Sequence, residues 1–166
     1  MLEALNRAAK PYVAIDKLKK RYSNVEWKHP CIYLKNVTFI DTKFDNLVIT
    51  YKNEKLVEAT FTLFDNASVM DNPFKDRATI LSEAKSKQNQ IMNRFTQAFN
   101  GLGNAFCSKY GNPAVSSEGN AIWRDTNSNS ITLNVTLNNS QDELGVHFDG
   151  ILTVTYRTAT TNNDEF

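Results

Sequence analysis

One long helical pattern between two runs of strand-like sequence constrains this chain most. It extends from about Phe74 to Tyr110, preceded by Asn72 and Pro73 as N-cap and first-turn proline and followed by Gly111. Its hydrophobic residues recur three, four and seven positions apart: Ile80, Ala84, Ile91, Phe95, Ala98, Phe99, Leu102 and Phe106. This is the period of one buried helix face. The pattern predicts a long helix that packs on a sheet through this stripe.

Strand-like sequence lies on both sides of the helix. Six runs rich in β-branched and aromatic residues cover residues 31–40, 44–51, 56–64, 121–126, 131–138 and 146–158. In several of them hydrophobic and polar residues alternate, as expected for strands with one buried face. We expect the polar segment 139–145 to be a loop and Gly150 to mark a β-bulge.

The chain order suggests an internal duplication. A first helical pattern, Leu2 to Tyr22 with an interruption at Pro11, precedes the first three strand runs, just as the long helix precedes the last three. Both helical patterns end in a similar phrase, "KRYSN" at residues 20–24 and "SKYGN" at residues 108–112. Either these phrases mark equivalent helix ends in two related halves, or they are generic helix terminators.

These patterns predict an α+β fold made of two αβββ halves. The halves would form a mainly antiparallel six-stranded sheet with the helices packed on one face. The length of 166 residues suits a single domain with a real core. We expect this domain to span residues 1–158, with pseudo-repeats at about 12–64 and 74–158, and residues 159–166 to be a flexible tail.

Composition excludes some classes of function. The net charge is +1, so the chain as a whole has no strong field for nucleic acid or for acidic substrates. No apolar run approaches the roughly 20 residues of a membrane span. The first residues lack the basic start and apolar core of a signal peptide. We expect an exported or periplasmic location if the N-terminus has been trimmed, and a cytoplasmic one otherwise.

Basic residues are concentrated near the N-terminus. They are Lys10, Lys17, Lys19, Lys20, Arg21 and Lys28. A basic helix with aromatic residues nearby can follow a phosphate backbone. A solvated helix face explains the same pattern more simply, so we do not expect a nucleic acid partner.

The two cysteines, Cys31 and Cys107, are far apart in the sequence. Two buried thiols that behave as small hydrophobic residues are the favoured interpretation. A disulfide bond between them stays open at this point. Because no Cys-x-x-Cys spacing occurs, neither a metal site nor redox chemistry is indicated.

The only candidate for acid–base chemistry is a pair on the last predicted strand. His147 and Asp149 are two residues apart, so their side chains would share one face of the sheet. A solvent-facing polar pair is the more usual explanation. The "GLGNAF" segment at residues 101–106 lies inside the helix pattern, whereas phosphate loops lie at a helix start. We therefore predict no catalytic residue, no metal and no cofactor.

The element order resembles that of the β-lactamase inhibitor proteins and related small bacterial envelope domains. The strand runs at residues 31–64, the long helix, its "SKYGNP" end and the later strands with Trp123 and Ile131 are also similar to uncharacterised secreted bacterial domains. In those domains the helix ends in Lys-Tyr-Gly-x-Pro. The resemblance implies a helix-on-sheet fold of two repeats and an exported location. It implies no catalytic residue.

Three hypotheses of function follow. The preferred one is a non-enzymatic protein-binding or inhibitor-like module, whose uncovered sheet face displays Thr, Asn and Lys with some aromatic residues and meets another protein. The first alternative is a small-molecule or lipid carrier with a pocket between helix and sheet. The second is an enzyme that uses His147 and Asp149. The residues of a binding surface, the identity of a partner and the oligomeric state are not encoded in any motif.

Overall fold

The computed structural model describes residues 11–142 and 145–159, with side chains from Ala14 onward. The elements are α1 (Pro11–Lys19), β1 (Val25–Lys28), β2 (Cys31–Phe39), β3 (Thr42–Lys52), β4 (Lys55–Met70), α2 (Arg77–Tyr110), β5 (Val115–Ser117), β6 (Asn120–Arg124), β7 (Ser130–Asp142) and β8 (Gly145–Arg157). The predicted α+β class with an antiparallel sheet is confirmed. The predicted start of the first helix at Leu2 and the predicted tail beyond Ala159 lie outside the described residues.

The strands form one antiparallel sheet in the order β1-β2-β3-β4-β8-β7-β6-β5. The prediction of six strands is wrong, because the sheet has eight. The two additional strands are β1 and β5, of four and three residues, and they are too short for alternation to be recognised in the sequence. Each helix is accordingly followed by four strands, so the predicted αβββ order is also wrong.

Three central strands extend beyond their neighbours. β8 pairs with β4 from Glu58 to Met70 and with β7 along the whole of β7. On the outer sides, β3 accompanies β4 only as far as Thr62, and β6 accompanies β7 only as far as Asn134. The remaining parts of β4, β8 and β7 therefore form a three-stranded extension of the sheet.

The predicted loop at residues 139–145 is wrong, because β7 continues to Asp142. Alternation fails there since residues 136–142 of β7 are exposed on both faces. The predicted bulge at Gly150 is also wrong: this residue pairs in regular register with Asp65 and Leu137. A Cβ atom at Gly150 would lie 2.8 Å from Cε2 of Phe95, so glycine allows the helix to approach the sheet.

Helix α2 begins later than the sequence suggested. Its N-cap is Asp76 rather than Asn72: the Asp76 carboxylate accepts hydrogen bonds from Thr79 N at 2.9 Å and from Thr79 Oγ1 at 2.7 Å. The Asn72 side chain instead accepts from Phe74 N in the preceding turn, at 2.9 Å. At the other end Gly111 takes a φ of 79° and its N–H donates to the Cys107 carbonyl, as predicted for the residue after a helix.

The core lies between the helices and one face of the sheet. Six residues of the predicted α2 stripe are buried: Ile80, Ala84, Ile91, Phe95, Leu102 and Phe106. Ala98 and Phe99 are only half-buried against them. Ala14, Ile15 and Leu18 of α1 belong to the same continuous core, so the helices cover one face. No helix among the described residues is long and apolar enough to cross a membrane.

We predict that Phe95→Ala lowers the free energy of unfolding by about 3–5 kcal/mol. The Phe95 side chain is 0% exposed and lies on Gly150 at the centre of the sheet. Phe99→Ala is the matched control, and its loss should be clearly smaller because Phe99 is half-buried. Chemical denaturation of both variants measures the difference. Equal losses of unfolding free energy in the two variants would mean that Phe95 is not the main contact between α2 and the sheet.

We also predict a pH effect of the α2 cap. Hydrogen bonds from the Thr79 hydroxyl and then the Thr79 N–H hold the pKa of Asp76 below its usual value. Because this pKa is lower in the folded than in the unfolded chain, the stabilisation is present above pH ~4 and is lost as the pH falls through the folded value. Asp76→Asn keeps a capping oxygen that does not titrate.

The wild-type chain should therefore lose more thermal stability than Asp76→Asn when the pH falls from 6 to about 3. Melting curves of both proteins across this range measure the difference. If the two curves shift in parallel, the cap does not titrate with folding.

Candidate functional site

The sheet face opposite the helices is the first candidate for a binding surface. Pairing across the sheet places one row of side chains on this face: Glu26, Tyr33, Val48, Thr60, Thr155, Thr132, Ile122 and Val115. The next row toward the extension contains Thr62, Thr153 and Asn134. We call this surface the open face. It carries short polar side chains with a few large apolar ones.

Phe64 and Ile151 form the apolar centre of the extension's open face. They are direct cross-strand partners on β4 and β8. Their side chains are 43% and 38% exposed. The neighbouring positions are Thr62, Thr153 and Thr136. The pair is therefore a small apolar patch next to short polar side chains.

Cross-strand bonds hold the rest of this face in place. Thr60 and Thr155 hydroxyls lie 3.3 Å apart. Beside them, Arg157 donates two hydrogen bonds to Glu58, from Nε at 3.0 Å and from the guanidinium terminus at 2.6 Å. Such pairs contribute little stability at an exposed site, but they fix the positions of the charges. The open face is therefore an ordered surface with most of its side chains short.

The two residues of the candidate acid–base pair, His147 and Asp149, have different hydrogen-bond partners. His147 lies on the open face with Asp149, as the alternation predicts, but its partners are on other strands. Nδ1 of His147 lies 3.0 Å from Ser68 Oγ, and Nε2 lies 3.1 Å from Asp142 Oδ1. Asp149 instead accepts a hydrogen bond from Asn138 Nδ2 at 2.8 Å.

A hydroxyl, an imidazole and a carboxylate in this order have the elements of a nucleophilic site. Acyl transfer also needs hydrogen-bond donors for the developing oxyanion. The backbone N–H found at this cluster, that of Gly145, already donates to Asp142 at 3.1 Å. The cluster thus joins the ends of β4, β7 and β8 and, in the described part of the chain, has no oxyanion site.

Two grooves bear on the carrier hypothesis. The wide groove has a volume of about 590 Å³ and lies between the start of α2 and the ends of β7 and β8; it is lined by Asp71, Asn72, Pro73, Lys75, Arg77, Ile80, Leu81, Gln141, Asp142, Gly145 and Val146. Several of these side chains are charged. A carrier pocket is mostly apolar and encloses most of its ligand, which does not describe this groove.

The second groove, of about 380 Å³, lies at the β1–β2 and β3–β4 turns beside Trp27, His29 and Tyr51. The Tyr51 hydroxyl is buried without a hydrogen-bond partner, and burial raises the pKa of this phenol. Because the hydroxyl is buried, it is not available to a ligand in the groove.

The described residues form no recognisable metal or redox site. No group of three or more His, Cys, Asp or Glu side chains there is placed to hold a metal ion. Cys31 and Cys107 are both free thiols, which answers the question that the sequence left open. Cys31 Sγ lies 3.6 Å from Thr50 Oγ1 on the open face.

Sequence reasoning missed Phe64, Ile151, Ser68 and Asp142. A signal for the first two was present: Leu63-Phe64 and Ile151-Leu152 place two large apolar residues in succession within otherwise alternating strands. One member of each pair must then face away from the core. Ser68 and Asp142 carried no such signal, because their proximity to His147 depends on the strand register.

Neither protein-family models, nor curated proteins, nor solved structures compared with this chain give a match.

Proposed function

We propose that this domain is a non-enzymatic protein-binding or inhibitor-like module that uses its open face. The Phe64–Ile151 pair is the observation that supports the proposal. Both side chains are large, apolar and exposed, and they lie side by side on adjacent strands at the protein surface. Burial of such a pair by a partner is favourable at roughly 25 cal/mol per Å² of apolar area.

The size of the open face is adequate for a specific complex. Eight strands at about 4.8 Å spacing give a width of roughly 34 Å. The β8 strand, of 13 residues, extends over about 43 Å. Specific interfaces bury about 800 Å² on each partner, which is less than the area that these dimensions provide.

The two alternatives have weaker support. The carrier hypothesis requires an enclosed apolar pocket, whereas the wide groove is lined by Asp71, Lys75, Arg77 and Asp142. The enzyme hypothesis used His147 with Asp149, and the geometry instead favours Ser68, His147 and Asp142 without an oxyanion donor. Protein binding needs neither feature.

We infer further that the two halves of the chain arose by duplication of a helix followed by four strands. The supporting observation is the strand order: β1 to β4 lead inward to the centre of the sheet, and β5 to β8 lead inward from the other side. Tyr22 and Tyr110, which close the two helical segments, are both half-buried against the core.

The duplication predicts that residues 11–70 and 77–157 of an experimentally determined structure superpose with their strand order preserved. Tyr22 and Tyr110 should then occupy equivalent positions, and each should lie near the first strand of its own half. If the strands superpose only with a shift of one or more strands, the duplication is excluded.

For the binding function, we predict that the double substitution Phe64→Ser, Ile151→Ser abolishes partner capture while the fold is retained. Immobilised wild-type domain, the double variant and the control Phe74→Ser would be exposed to extract of the native host, and retained proteins identified by mass spectrometry. Phe74 is 96% exposed and lies in the turn before α2, so its replacement removes an even more accessible aromatic ring from another part of the surface.

A protein retained by wild type and by Phe74→Ser, but lost with the double variant, is the expected result. Near-identical melting temperatures of the three proteins would show that the loss is local. Retention of the same proteins by all three would contradict a role for the open face.

A further inference from the structure

The free strand edges of this sheet differ in how well they are protected against pairing with another strand. A free edge exposes unpaired N–H and C=O groups, and proteins protect such edges with short strands, charges, Pro or covering segments. The outermost strands follow this rule: β1 has four residues, two of them charged, and β5 has three. The remaining edges belong to the three-stranded extension, along β4 on one side and β7 on the other.

The β4 edge is capped by side chains. Beyond Thr62 the Phe64 N–H donates to the Asp45 carboxylate at 2.7 Å. The Ser68 carbonyl accepts from Lys87 Nζ of α2 at 2.8 Å. One backbone donor and one backbone acceptor of this edge are therefore already bonded to charged side chains, so fewer groups remain for another strand to pair with.

The backbone groups that face outward from β7 can be identified by alternation. Val135 N–H donates to the Gly119 carbonyl at 2.7 Å, so the Val135 backbone is directed toward β6. Every second residue of a strand directs its N–H and C=O to the same side. Leu137, Asn139 and Gln141 therefore present theirs to the edge, and in the described part of the chain no strand pairs with them there.

This edge lacks the protection found elsewhere. Residues 130–141, "SITLNVTLNNSQ", contain no charged residue and no proline. The segment from Thr136 is exposed, in contrast to the short outer strands and the capped β4 edge. The free part of this edge, residues 136–141, is uncharged and free of proline, and such an edge accepts another strand readily.

Side-chain clefts follow the same edge on the helix side. A small cleft of about 70 Å³ lies where Met92 and Gln88 of α2 approach Leu137 and Asn139. Met92 and Leu137 are 43% and 44% exposed there. The wide groove begins at Gln141, beside Ile80 and Leu81. Leu137 and Gln141 are four residues apart, so the two clefts are separated by roughly 13 Å along the strand.

We propose that the β7 edge binds an extended segment of a partner polypeptide as an additional antiparallel strand. Its backbone would bond to Leu137, Asn139 and Gln141. Because alternate side chains of a strand share a face, an aliphatic residue would enter the small cleft and a larger residue four positions away would enter the wide groove. The proposed ligand is a β-strand with an aliphatic anchor residue at i and a larger one at i+4.

A second copy of this chain fits the edge less well. Pairing of two β7 edges over about seven residues would bury roughly 20 by 10 Å on each copy. That is far below the roughly 800 Å² per partner of stable interfaces. A peptide gains the two clefts in addition to the backbone bonds.

The edge site extends the proposed function to a second surface, and the two can fail independently. The clefts lie on the helix side of the sheet, whereas Phe64 and Ile151 lie on the open face. The variant Phe64→Ser, Ile151→Ser should consequently bind strand peptides as wild type does.

The test begins with selection of binders from a random dodecapeptide library displayed on phage, with the whole domain as bait. Amide hydrogen exchange of the domain is then measured with and without a selected synthetic peptide. In the free domain the amides of Leu137, Asn139 and Gln141 should exchange fast, while those of Asn138 and Ser140 are protected by β8. The peptide should slow the first three.

Asn139→Pro and Asn139→Ala separate backbone from side-chain recognition. Proline removes an N–H that faces the free edge and leaves β7–β8 pairing intact, so the domain should still fold. We expect Asn139→Pro to weaken peptide binding by at least about tenfold, measured by fluorescence anisotropy, and Asn139→Ala, which keeps the N–H but removes a side chain from the small cleft, to weaken it clearly less. Leu137→Asp should also weaken it, through the small cleft.

Other outcomes would overturn the proposal. Strand addition at β7 is excluded if selection yields no binding peptide, or only peptides that protect amides elsewhere than on β7. Equal affinity of Asn139→Pro and wild type would exclude strand addition. Concentration-dependent protection of the three amides in the free domain, with a dimer in analytical ultracentrifugation, would assign the edge to self-association instead.

Discussion

The contact of Phe95 with Gly150 sets the geometry of the whole domain. A glycine on the central strand β8 lets the ring of Phe95 lie on the sheet, since a Cβ atom there would be 2.8 Å from the ring. This fixes α2 above β8. From that position Lys87 and Arg94 reach the β4 side, where they bond to the Ser68 carbonyl and to Asp65. Met92 and Gln88 reach the β7 side and form the small cleft. The position of α2 therefore contributes a cap to the β4 edge and a cleft to the β7 edge.

The antiparallel sheet then accounts for the uncovered surface. Both helices contribute to one continuous core, and within residues 11–142 and 145–159 no helix covers the opposite face. Antiparallel sheets tolerate this because alternate residues can be polar, and the threonines of β4, β7 and β8 fulfil that requirement. Phe64 and Ile151 depart from it at adjacent positions. Two apolar residues placed together on a polar face reduce solubility, and this departure from the alternation is the reason for proposing that a partner covers them.

The sequence was sufficient for the features that depend on local periodicity. The α2 stripe, the class of fold and the end of α2 at Gly111 were predicted, because helix period and glycine conformation are properties of short segments. Features that depend on pairing were not predictable. β1 and β5 exist because neighbouring strands offer them hydrogen bonds, and β7 continues through "NNSQD" for the same reason. Likewise His147 meets Ser68 and Asp142 only because β4, β7 and β8 share one register.

Both candidate surfaces, the Phe64–Ile151 patch and the β7 edge, lie on the three-stranded extension, which exists because the strands differ in length. Had β3 and β6 been as long as the central strands, every donor and acceptor of β4 and β7 would be paired within the sheet. Instead the extension leaves two edges, and two charged side chains of α2 bond to groups of β4. On the other side a methionine and a glutamine face an uncharged strand. A lysine in place of Met92 would put a charged side chain beside the β7 edge, as Lys87 does beside the β4 edge, and charges are one of the devices that protect strand edges.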